Sequence, residues 1–126
     1  MAEFDIGQEA DRLSREMDRV GEQAGGAIAR SGPIVGRAET GDGAFAVEVY
    51  PGGRLKSVKL TPFALRSAPE VIARQIVELS DRATRRASDR MYRTLAPVLG
   101  RDADRQLKTM GFEPLPDDDE RGYGGR

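Results

Sequence analysis

The stretch from Ala44 to Leu60 most constrains what this chain can fold into. Ala44–Tyr50 reads Ala-Phe-Ala-Val-Glu-Val-Tyr, and its alternation places Phe45, Val47 and Val49 on one face of a strand. Pro51-Gly52-Gly53 follows, with glycines that can take the positive φ of a tight hairpin turn. The chain returns through Arg54–Leu60, where Val58 and Leu60 share a face. Leu55 is out of phase with those two, which predicts a bulge near Ser57 or a late strand start. A lone hairpin is marginal in water, so this one needs a third strand and a covering helix.

The flanking sequence offers both. Ile34–Thr40 predicts a first strand, interrupted by Gly36, and Gly41-Asp42-Gly43 turns it into the hairpin. Three consecutive strands with tight glycine turns imply an antiparallel meander. Upstream, a helix starts near Glu3. Ile6, Ala10, Leu13, Met17, Val20, Ala24 and Ala27 follow alternating steps of four and three, a heptad seam. Asp11–Arg15 and Arg12–Glu16 are expected as opposite-charge pairs on its solvated face. Gly21, Gly25 and Gly26 weaken the second half, which therefore needs a partner surface, and Ser31-Gly32-Pro33 ends the helix. The seam allows two readings: a face packed on the chain's own sheet, or a helix that projects and pairs with another helix.

Downstream, Thr61-Pro62 ends the third strand, and Phe63-Ala64-Leu65 is expected to fold back onto the core. Ser67-Ala-Pro-Glu70 has the form of a capping box, with Ser67 as N-cap and Glu70 at N3. The helix it opens should run to about Leu95, burying Ile72, Ile76, Leu79, Ala83 and Ala87, with Met91 and Leu95 extending the stripe. Pro97 should kink or stop it, and Gly100 marks a break. Asp102–Met110 suggests a short third helix with Asp102 as cap and Gly111 just past its end. Leu107, Met110 and Phe112 give it an apolar edge. From Glu113 the chain reads as a disordered acidic tail. The expected fold is α+β in the order α-β-β-β-α, a three-stranded antiparallel meander with two long helices. Residues 1–100 form the domain, 101–112 a short helical appendage and 113–126 the tail.

Composition limits the chemistry. The chain has neither cysteine nor histidine, so thiolate nucleophiles, Cys/His zinc sites and histidine general bases are excluded. No polar cluster replaces them, and an enzyme acting on a small-molecule substrate is not expected. The glycines precede no helix and match no phosphate loop. Asp117-Asp118-Asp119 lacks the spacing of a calcium loop, and no metal or cofactor is expected. Tyr50, Phe63 and Tyr92 are too scattered to stack on exposed bases. No run approaches the roughly 18 apolar residues of a membrane span, and the acidic N-terminus has no apolar leader, so the expectation is a cytoplasmic protein. A hydrophobic fraction of 38% makes a lean core, which suits a thin two-layer fold and favours a dimer that pools two cores.

Net charge is −1 overall but unevenly spread: −2 over residues 1–65, +4 over 66–101 and −3 over 102–126. The basic block contains Arg82, Arg86, Arg90 and Arg93, spaced four, four and three along one helix face, with Arg85 alongside. Glu78–Arg82 and Asp89–Arg93 are spaced as ion pairs. Guanidinium forks match phosphate oxygens and keep their charge, so the row is either a phosphate-contacting stripe or a solvated face. The opposite charges of the basic block and the tail raise a further question, whether the tail lies over the helix and inhibits it.

The order of parts resembles the YbaB/EbfC family of bacterial nucleoid-associated proteins. The resemblance covers roughly residues 3–95. It runs from a charged helix through Gly41-Asp-Gly43, Phe45-Ala-Val-Glu-Val-Tyr50 and Pro51-Gly-Gly-Arg-Leu55 to Val58-Lys-Leu-Thr-Pro-Phe-Ala-Leu65. A helix opening with Pro69-Glu70 and containing Ile76-Val-Glu-Leu79 completes it. The resemblance implies a homodimer built through the sheets, with projecting helices and sequence-tolerant binding to duplex DNA in the nucleoid. Phe45, Val47, Val49, Val58 and Leu60 would then form the dimer interface. Arg82, Arg85, Arg86, Arg90 and Arg93 would contact phosphates, with Arg12, Arg15 and Arg19 as secondary contacts. The excess of 17 arginines over 3 lysines suggests a high-GC bacterium such as an actinomycete. There, similar proteins resemble partners of type VII secretion systems, which makes a protein-interaction adapter the alternative function.

Overall fold

The hairpin forms where the alternation places it. In the computed structural model, which describes residues 6–116, β1 (Gly36–Glu39), β2 (Phe45–Val49) and β3 (Leu55–Leu60) make an antiparallel sheet in that order. Phe45, Val47 and Val49 sit opposite Leu60, Val58 and Leu55. A one-residue irregularity after Glu48 sets Ser57 opposite Glu48 and Leu55 opposite Val49, leaving Lys56 as the extra residue. That bulge is what brings Leu55 back into phase. At the first turn the Ala44 amide and the Thr40 hydroxyl both donate to Asp42 Oδ1, at 2.9 and 2.8 Å. These bonds, the amide first, hold the Asp42 carboxyl below its ordinary pKa. Gly52 and Gly53 carry φ of 96° and 97° through the second turn, where the Arg54 guanidinium lies over the Tyr50 ring.

Helix α1 spans Ile6–Ser31; its expected start near Glu3 lies outside the described residues. The weak glycine-bearing half finds its partner surface on the second long helix, and Ala24 joins the core there. The first half, from residue 7 to 19, is exposed throughout. At 1.5 Å per residue this half projects by roughly 20 Å. The seam is therefore not packed on the chain's own sheet. The ion pairs on its surface also differ from expectation: Arg12 pairs with Glu9 and Arg19 with Glu16, each three residues back.

Helix α2 (Pro69–Leu99) covers the sheet. Its N-cap is Ala68, with no side-chain cap bond, so the capping box does not form. Ser67 instead terminates the 3₁₀ turn Ala64–Arg66, its amide donating to Ala64 O. Of the connector, only Ala64 is buried; Phe63 and Leu65 remain exposed. Pro97 neither stops nor shortens the helix, which continues to Leu99 because Leu95, Ala96 and Leu99 pack beside Ala103 and Leu107. From Leu79 the apolar positions recur every four residues, and each such step turns about 40° around a 3.6-residue helix. The stripe therefore walks off the sheet and ends on a second core. Leu79, Ala83 and Ala87 pack with Val47 and Val49, whereas Leu95 packs with Ala103 and Leu107.

Helix α3 (Ala103–Thr109) follows, with Asp102 at its N-cap position but no side-chain cap bond, and Gly111 at φ 93° just beyond its end. Tyr92 donates to Asp104 Oδ1 at 3.0 Å, and Lys108 pairs with the same carboxylate, tying α3 to α2. The chain then turns back along α2. Glu113–Pro116, expected as the start of a disordered tail, is packed there with Leu115 buried; the rest of that tail lies outside the described residues.

Candidate nucleic-acid interface

The arginine row on α2 is divided by what each guanidinium touches. Gly36 brings β1 against α2 so closely that a Cβ there would lie 1.9 Å from Ala83 O. The glycine that seemed to interrupt the first strand is thus the position where helix and strand meet. Because they meet, two arginines reach over the strand: Arg86 donates to Arg37 O at 2.8 Å and Arg90 to Val35 O at 2.9 Å. β1 is a sheet edge, so these bonds occupy carbonyls that another strand could use. Both guanidinium groups are held in place, and each has donors to spare.

Arg93 is held differently. Its Nε donates at 3.0 Å to Asp89, whose side chain is 1% exposed and also accepts the Leu115 amide at 2.8 Å. Asp89 is therefore more than an ordinary surface ion-pair partner. Sequence reasoning saw only its spacing; its burial follows from the returning chain, which carries no periodic signal. Arg82 and Arg85 are exposed and make no ion pair or hydrogen bond among the described residues. On α1, Arg12, Arg15 and Arg19 are exposed on the projecting half, away from the α2 row.

The expected interface residues also separate. Phe45, Val47 and Val49 are buried in the chain's own core under α2 and offer no free surface. β3 is different: it is the other sheet edge, and Leu55 and Val58 remain 49% and 37% exposed. Leu60 is partly buried beside the core. Among the described residues no group of acidic side chains could hold a metal ion, and no helix is long and apolar enough to cross a membrane.

Together these features define a small α+β module with a basic helix face across one sheet edge. The sequence model of the YbaB/EbfC DNA-binding family matches residues 6–102, and the chain belongs to that family. Membership implies nucleoid-associated DNA binding. No curated protein and no solved structure gives a significant match.

Proposed function

We propose that the protein is a homodimeric, non-enzymatic, nucleoid-associated protein that holds duplex DNA by its phosphates with little sequence preference, and so influences gene expression. The observation that carries this reading is the α2 face. Arg82 and Arg85 are exposed and unpaired among the described residues, beside Arg86 and Arg90, whose guanidinium groups are already oriented by backbone carbonyls. Phosphate contacts of this kind position a protein without reading base sequence. The second copy would dock on β3, the edge that Arg86 and Arg90 do not guard, with Leu55 and Val58 at the contact. Arg12, Arg15 and Arg19 are secondary contacts on the projecting helix.

A titration of labelled random-sequence duplex at several salt concentrations tests this. If four phosphates are neutralised, log K falls with a slope of about −3.6 against log salt. Arg82→Ala/Arg85→Ala, which leaves the strand-holding arginines intact, should lower that slope by about 1.8. Absence of binding by the wild-type chain at low salt would sink the proposal. The adapter reading would then gain ground, because the projecting half of α1 exposes Leu13 and Met17 by 60% and 65%.

A further inference from the structure

The chain past α3 is tied across the arginine face by specific bonds. The Glu113 amide donates to Ser88 Oγ at 2.9 Å, and two residues later the Leu115 amide donates to the buried Asp89 carboxylate. Ser88 and Asp89 are adjacent in sequence but about 100° apart around α2, so the strap passes from one side of the helix to the other. It arrives at Asp89, which lies three residues from Arg86 and four from both Arg85 and Arg93. Leu115 is buried, and Pro116 lines one shallow recess with Thr84 and Arg85. All of these strap residues lie beyond the part of the chain that the family model matches.

What comes next is Asp117-Asp118-Asp119-Glu120. Four residues reach at most about 14 Å when extended. Asp89 and Arg82 are seven residues apart, a rise of about 10 Å along a helix. The acidic run therefore begins within reach of every unguarded arginine on α2, and its start is fixed by a buried bond rather than left to diffusion.

We propose that the strap delivers Asp117–Glu120 onto Arg82, Arg85 and Arg86, where the carboxylates take the place of DNA phosphates and set the protein's affinity for duplex. The inference rests on the phosphate-binding reading of that helix face. Carboxylates accept the same guanidinium forks as phosphates, and the short tether makes the competition intramolecular. DNA would have to displace the tail, so the apparent number of phosphate contacts is lowered while the tail is docked.

The test follows the arginine side-chain Nε–Hε signals of the full chain by NMR alongside the duplex titration. Wild type is compared with Asp117→Asn/Asp118→Asn/Asp119→Asn/Glu120→Gln, which alters no described residue, and with Leu115→Ala, which loosens the strap without changing charge. The Arg82 and Arg85 signals should move in both variants. Both should bind duplex more tightly, the neutralised one on the order of tenfold at 0.1 M salt, with a slope steeper by about 1.8 as two arginines are released. Unmoved arginine signals would overturn the proposal. So would tighter binding confined to the neutralised variant, which would show charge acting at a distance. If no form binds duplex, the phosphate reading falls, and the arginine signals still decide whether the tail docks.

Discussion

The two long helices are built from similar material and put to different uses. Both carry apolar residues at helical spacing and several arginines. On α1 the arginines that pair do so with glutamates of their own helix, at sites more than half exposed, and such pairs contribute little. On α2 Arg86, Arg90 and Arg93 are bound to β1 carbonyls or to a buried carboxylate. A run of arginines in sequence is thus three different things in space: solvated charge, edge-strand guard and partner of a buried acid. Only neighbours distant in the chain decide which. The variants below probe this contrast from the most to the least costly.

Gly36→Ala should cost the most. The new methyl would overlap Ala83 O and lie 2.5 Å from Ala87 N, both backbone atoms of α2 that no rotamer change can move. Forcing strand and helix apart costs about 3 kcal/mol by the usual measure of overpacking, and urea unfolding would show it as a lowered midpoint. The same shift would withdraw Arg86 and Arg90 from β1. A mild effect would mean that the strand can slide, and the claim that this glycine fixes the arginine geometry would fail.

Asp89→Ala comes second. It removes the acceptor of the Leu115 amide and the partner of Arg93. Arg93 is half exposed and can return to water, so the principal loss is the buried amide left unbonded, about 2 kcal/mol. The change should be local. Hydrogen exchange at Leu115 should accelerate far more than at Val47, whereas equal acceleration at both would show Asp89 supporting the whole core.

These two positions also mark what the sequence could and could not reveal. The hairpin, its bulge and the first stretch of the α2 stripe were legible because alternation and helical spacing are local signals. Gly36 was visible only as an interruption, since its reason, Ala83 and Ala87, lies far along the chain. The capping box misled because Ser67 closes the 3₁₀ turn before α2 and is unavailable to open the helix. The drift of the stripe from sheet to α3 was implicit in its four-residue steps, yet it became a statement about two cores only when Ala103 and Leu107 were in place. Of the arginine row, spacing correctly gave a shared helix but not the division between Arg82 and Arg85 on one hand and Arg86, Arg90 and Arg93 on the other.

Leu13→Ala/Met17→Ala is the mildest change and the one that most sharpens the contrast. Both side chains lie on the projecting half of α1, where nothing in the chain covers them, so their truncation removes no packing from the protomer. Surface substitutions of this kind cost less than about 0.5 kcal/mol, and alanine is the better helix former at both positions. In an isolated protomer, thermal unfolding should barely move. If the seam instead pairs with another helix, those two residues are its largest apolar contacts, and their loss should lower the unfolding temperature in a concentration-dependent way. Unfolding measured at two protein concentrations tenfold or more apart separates the cases. A concentration-dependent loss would make α1 an interface helix in its own right. An unchanged transition would leave α1 a projecting arm whose role, if it has one, is in its arginines.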